Sequence, residues 1–261
     1  MSMEVTIVVV PQLKRANARV ATYLKQKKHD GLFLPFPKGL EEFVAQFVEG
    51  LPFQYLISEL KRSKIAPQPL RPWALSNEPL LKVLPQLKTA NERLRLYCYG
   101  DPLYGNKYSI DIAVKISALT LATSITGEVN TGEWRKVFQK DLEFRTEAIR
   151  RETDFVTVNA NRHEKSICVS DLNGRFMVSQ LQEEGFDAVL KDLDPFYQHT
   201  PIEKLTAELT EGEISEKRLT ELVLLHVRYV REYILTSNNL DEAYLRWLND
   251  QNNHLSSQPP S

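Results

Sequence analysis

The chain lacks the short motifs by which most α/β enzymes are recognised. It has no Walker A loop, no G-x-G-x-x-G fingerprint, no G-x-S-x-G elbow and no H-E-x-x-H helix. Cysteine is almost missing: Cys98 and Cys168 are the only two, and they make no zinc spacing. Both fall in β-type segments, where buried reduced thiols are expected, suited to a reducing compartment. A disulfide would be open to them if their strands were sheet neighbours. The five histidines, His29, His163, His199, His226 and His254, are scattered. None has a second histidine or carboxylate at a spacing that makes a helical metal face, so neither metal nor cofactor is expected. His163, between Arg162 and Glu164, reads as part of a polar surface loop. His226, on an apolar helical stripe, reads as a core or interface residue.

Charge is equally uninformative in sum. The net charge is -1, which gives no global drive toward nucleic acid or an anionic membrane. The distribution is uneven. Lys14, Arg15, Arg19, Lys25, Lys27 and Lys28 make the first helix basic and leave nucleic acid open, while residues 183–216 are mainly acidic. The two regions either pair within the fold or face partners. The opening MSMEVTIVVVPQ reads as a strand rather than a signal peptide. No uncharged apolar run is long enough to span a bilayer, and a cytoplasmic location is expected.

The most legible stretch is 143–194: a charged amphipathic helix (FRTEAIRRE), a strand over 166–169, the connection SDLNG, a helix (FMVSQLQEEG) and a strand (DAVLKDL). Strands joined through a helix by short connections form right-handed parallel units. The chain opens the same way, with a β-branched run over 5–10, an amphipathic helix over 13–28 and a strand over 32–34 closed by Pro35 and Pro37. A third strand spans 94–99. The fold class predicted is therefore α/β, a mostly parallel central sheet flanked by helices, with a helical insert and a C-terminal helical extension. Residues 1–197 form the α/β domain, with the insert at about 103–150. Residues 198–250 form the helical extension packed on it, and 251–261 a disordered tail.

Between these strands, short helices are expected over 39–48 and 51–62. Pro67, Pro69, Pro72 and then Pro79 predict an extended surface segment anchored by Trp73, with a proline-rich ligand for another domain as the alternative. A helix over 80–90 should kink or end at Pro85. A loop over 103–109 should lead to a helix over 110–125, capped by Ser109 or Asp111 and apolar enough all round to be buried.

Ligands of open parallel sheets bind at the carboxyl ends of the strands. Here those ends offer Lys38, Asp101 with Tyr104, and Asp171 with Asn173, Gly174 and Arg175. Asp101, Asp171 and Arg175 are the catalytic candidates; the carboxylates are able to accept hydrogen bonds or share a cation. Lys38, Tyr104, Asn173 and Gly174 are ligand-binding candidates, with Lys38 and Arg175 able to hold an anion beside a helix N-terminus. Ordinary turn and N-cap duty is the competing reading for Asp171 and Asn173.

The order of FRTEAIRRE, SICVSDLNGRFMVSQLQEEGFDAVLKDL and LYCYGDPLYG resembles the TraB/ChaN/Tiki-like group and its erythromycin-esterase relatives. The resemblance is architectural, covers residues 4–195, and implies that Arg145 matches the arginine of the family's late helix and belongs to the ligand-binding set. The histidine and glutamate that family members thought to be metal-dependent hydrolases carry at their strand ends are missing. Pro11-Gln12, Leu34-Pro35 and Ser170-Asp171 stand in their places. The resemblance thus implies a degenerate, non-catalytic member. Three functions follow as expectations. The first is a scaffold acting through protein interaction or regulation, whose C-terminal aromatics Tyr229, Tyr233, Tyr244 and Trp247 either pack on the domain or form a self-association seam. The second is a hydrolase acting through Asp101 and Asp171. The third is a nucleotide or small-ligand sensor of a defence-type system.

Overall fold

Five apolar runs form the strands β1 (Glu4–Val9), β2 (Gly31–Pro37), β3 (Arg95–Gly100), β4 (Lys165–Ser170) and β5 (Asp187–Asp192). All pair in parallel, in the order β3-β2-β4-β1-β5. The structure is a computed structural model and describes residues 3–63, 65, 69–172 and 174–256. Its helices are α1 (Lys14–Gln26), α2 (Glu41–Val48), α3 (Phe53–Ser63), α4 (Leu70–Ala90), α5 (Ser109–Thr126), α6 (Thr131–Ala160), α7 (Gly174–Glu183), α8 (Pro201–Glu211), α9 (Glu216–Tyr229) and α10 (Leu240–Ser256). The expected α/β class with a parallel sheet is what the chain adopts.

Two compact units share the chain: Met1–Ile110 with Phe144–Pro195, and Asp111–Glu143 with Phe196–Ser261. In the first, the sheet, β4 inserts between β1 and β2. Right-handed crossovers then send α1 and α4, which pack together, to one face and α6 and α7 to the other. On the second face Val156, Ala160, Met177 and Leu181 close over Val5, Ile7, Phe33 and Cys168. Cys98 and Cys168 are both buried and free, and β2 separates their strands, so no disulfide joins them. The basic first helix pairs within this unit: Arg19 bonds Asp194 of the acidic region at 2.6 Å, and Lys14 bonds Glu78 of α4 at 2.6 Å.

Several local expectations are corrected. Instead of an extended segment followed by a separate helix over 80–90, a single helix, α4, runs through Pro72 and Pro79 and does not end at Pro85. Pro72 sits in the first turn, where its missing N–H has no helical partner to lose. Beyond it, burial of Leu80, Leu81, Val83, Leu84 and Leu87 offsets the bonds lost at Pro79 and Pro85. The Ser76 carbonyl, in the turn before Pro79, accepts from the buried Asn17 Nδ2 at 3.0 Å. Trp73 does anchor its segment, edge-on to Phe36 with centroids 5.3 Å apart. Residues 66–68 lie outside the described residues.

The expected loop before α5 is helical, a π turn over Tyr104–Tyr108 that continues into α5. Nor is α5 buried. It is long and apolar enough, by length and composition only, to cross a membrane, but just 17% of it lies inside the protein. His163 is buried rather than a surface residue: Tyr97 Oη lies 2.9 Å from its Nε2, and Asp30 is 3.5 Å from its Nδ1.

The helical unit has its own core of Trp134, Phe138, Leu205, Leu219, Leu222, Val223 and Val227. Segments of the insert and of the C-terminal region therefore share one interior. Thr200 opens α8 with a capping box to Glu203, followed by Pro201. Tyr229, Tyr233, Tyr244 and Trp247 pack on one another, with Tyr229 edge-on to Trp247 at 5.5 Å. All four are buried inside the unit, which is the packing alternative of the two expected for them. The tail expected from residue 251 is helical to Ser256, because α10 continues past its last buried aromatic; residues 257–261 lie outside the described residues.

His226 belongs to this second core, edge-on to Trp134. Neither His226 Nδ1 nor Trp134 Nε1 finds a hydrogen-bond partner among the described residues. Burial pushes the imidazole down from 6.5 to about 4. The unfolded chain thus takes up a proton below pH 6.5 that the folded chain refuses. Stability contributed by the neutral ring is full above pH 6.5 and is lost as pH falls toward 4, about 3 kcal/mol in all. Urea unfolding followed by tryptophan fluorescence is expected to show this loss in the parent and not in His226→Leu. An equal acid slope in both proteins would contradict it.

Candidate functional site

The strand order decides where a ligand is able to bind. β2 and β4 are adjacent, yet the chain leaves them toward opposite faces of the sheet, and in open parallel sheets ligands bind outside the carboxyl ends at such a point. Four elements converge there: the turn Lys38–Leu40 after β2, the end of β3, the end of β4, and the C-terminal half of α6. Gly100 lets β3 close on β2, since a Cβ there would stand 2.9 Å from the Phe36 carbonyl. At this point β2 and β3 slip register.

Asp101 is the hub. Its carboxylate is buried and fully engaged. Oδ1 accepts the Tyr104 backbone N–H at 2.7 Å, capping the helical turn with Pro102 behind it, and Oδ2 accepts Arg151 Nε at 2.8 Å. Asp101 is therefore the N-cap that was expected at Ser109 or Asp111. Burial opposes its ionisation, but Arg151 and the backbone N–H groups outweigh that, and the carboxyl lies below the ordinary aspartate value. The backbone N–H of Asp101 donates in turn to Glu152 Oε1 at 2.7 Å.

Glu152 is the residue that motif reasoning missed. Ala148, Glu152, Val156 and Ala160 lie four apart on α6, and the three apolar members are buried. A glutamate on the inward stripe of a helix was the available signal. Burial pushes its carboxyl up from 4.5 to about 7, and the charges of Asp171 and Asp101 add to the rise against the Asp101 N–H and Lys38. It is a group that exchanges its proton near neutral pH beside a lysine.

The remaining candidates take distinct places. Lys38, half-buried, holds its Nζ 4.3 Å above the Phe155 ring and acts electrostatically on Glu152. Asp171, just past the end of β4, acts electrostatically on Glu152 in the opposite sense to Lys38. Arg145 lies over the Tyr104 ring at 5.7 Å, which brings two of the ligand-binding candidates together. Gly174 is explained by packing, because a Cβ there would stand 3.0 Å from both Ile7 and Val9. Arg175 is exposed on the first turn of α7 and is not among the charges acting on Glu152. Asn173 lies outside the described residues. Beneath the cluster Tyr99 Oη donates to the Val169 carbonyl at 2.9 Å. Burial raises the Tyr99 phenol and the Cys168 thiol, so both keep their protons, and Cys168 is no nucleophile.

Among the described residues no three His, Cys, Asp or Glu side chains are placed to hold a metal ion. The carboxylates here serve other ends: Asp101 is tied to Arg151, and Glu152 is paired with a backbone donor. Comparison with family models, with curated proteins and with solved structures finds no match. What the α/β architecture defines is a doubly covered parallel sheet with a polar cluster at its carboxyl edge.

Glu152 makes a stability prediction of opposite sign to His226. A carboxyl raised from 4.5 to about 7 costs nothing below pH 4.5, where both states hold the proton. The folded state then loses about 3 kcal/mol relative to the unfolded one as pH rises through that interval. Glu152→Gln keeps an oxygen for the Asp101 N–H and is expected to abolish the fall, gaining on the parent above pH 7. A variant no more stable than the parent at every pH would contradict the assignment.

Proposed function

We propose that the α/β unit binds a small ligand at the carboxyl edge of β2, β3 and β4, and that the protein acts by regulation through that binding rather than by hydrolysis. The observation that carries this reading is the engagement of Asp101. Both of its carboxylate oxygens are taken, one by Arg151 and one by the Tyr104 amide. A hydrolase working through Asp101 and Asp171 would need the first to be available to water or to a cation. Lys38 and the proton-exchanging Glu152 remain as recognition groups, a cation and a carboxyl that is able to donate or accept a hydrogen bond. This pairing suits a ligand with an anionic group and a neighbouring hydrogen-bonding edge, as in a nucleotide. The sensor reading is favoured over nucleic acid binding, because Lys14 and Arg19 of the basic helix are engaged by Glu78 and Asp194. The buried free thiols Cys98 and Cys168 support a cytoplasmic setting. The resemblance to the TraB/ChaN/Tiki-like group stands within this proposal as a degenerate relative.

A catalytic reading has one observation in its favour, the carboxyl of Glu152 near neutrality, which is the range of a general acid or base. Thermal-shift screening of nucleotides, small phosphorylated compounds and divalent ions separates the readings, because a ligand bound only by the native state raises Tm. The expected result is a rise with an anionic compound that Lys38→Ala reduces, with the compound recovered unchanged. No rise with any compound would contradict the proposal. Conversion of the compound, lost in Glu152→Gln, would replace it with the catalytic reading.

A further inference from the structure

The two edges of the sheet are treated differently. On the β3 edge, the outward N–H of Cys98 donates to Glu41 Oε2 at 3.0 Å, so a side chain of α2 caps the middle of that edge. The β5 edge is exposed. Val189 is 46% and Leu190 38% accessible, and Asp187, Lys191 and Asp192 are exposed around them. A short apolar edge with charged flanks is either protected by those charges or matched to something that complements them.

We infer that β5 is a self-pairing edge, and that two copies of this chain join antiparallel through it into a continuous ten-stranded sheet. The register follows from the backbone. Asp187 N–H donates to the carbonyl of Met3, the residue before β1, so Asp187, Val189 and Lys191 turn their backbone groups inward. Ala188, Leu190 and Asp192 turn theirs outward. An antiparallel partner must set outward residues against outward residues. The register centred on Val189 does this: Ala188 faces Leu190 of the second copy and exchanges N–H and carbonyl with it. In that register Asp187 faces Lys191 of the second copy, Lys191 faces Asp187, and Val189 meets Val189 on the two-fold axis. Both charge pairs are of opposite sign and the central pair is β-branched, the combination that favours cross-strand neighbours. One two-fold operation satisfies all of them, as an isologous interface requires. The Ala188 carbonyl now accepts Gln182 Nε2 at 2.8 Å, and in the pair it exchanges that donor for a backbone one. This surface is distinct from the strand-end site and stands independently of its ligand.

The test is charge reversal, with mass read by light scattering during size exclusion across a concentration series and folding checked by circular dichroism. The full chain is expected to dimerise. Asp187→Lys and Lys191→Asp each set like charges against each other twice and should weaken the dimer about tenfold. The double variant Asp187→Lys/Lys191→Asp recreates both pairs with the signs exchanged and should restore it, which a purely structural role for either residue would not do. A monomer at every concentration, or a dimer indifferent to the single reversals, would overturn the inference.

Discussion

Everything at the carboxyl edge depends on how the chain leaves β3. At that point Asp101 accepts from Arg151 and from the Tyr104 amide, and gives its own amide to Glu152. One residue thus ties the strand end to the start of a helical turn and to the last third of α6. Charge-assisted bonds of this kind are shorter and stronger than neutral ones, and a buried carboxylate stripped of its arginine would be left costly. The consequence reaches Glu152. Because the Asp101 amide holds one of its oxygens, the Glu152 carboxyl stays in a setting that burial and two neighbouring carboxylates make hard to ionise.

The legible parts of the sequence were those in which one local pattern had one structural solution. β1, β2 and β4 are apolar runs too short for helices and closed by proline or polar turns, and a strand buried on both faces is what such runs form. The parallel sense followed from the helices between them. The strand order did not, because periodicity says which residues face inward and nothing about which strand lies beside which. Placing β4 between β1 and β2 is a tertiary result, and it decides which strand ends gather the polar cluster.

Where tertiary packing overrode local preference, sequence reading went astray. Three prolines argued against α4, but one falls in the first turn and the others are outweighed by five buried leucine and valine side chains. Apolar composition argued for burial of α5, yet most of its surface is open. The site itself was half legible. Lys38, Asp101 and Asp171 were found because strand ends are where polar groups gather, and Glu152 was passed over because it sits inside a charged helix. Its spacing from Ala148, Val156 and Ala160 was a better guide than any motif.

The polar cluster at the strand ends turns on one carboxyl group. Its most direct test is the protonation of Glu152 itself, read from the side-chain carboxyl carbon by NMR across a pH series, with Glu152→Gln used for assignment. A midpoint near 7, moving further upward when Lys38 is replaced by alanine, is what the geometry predicts. A midpoint at the ordinary 4.5, unmoved by Lys38→Ala, would mean that the cluster at the strand ends is a solvated surface and not a site.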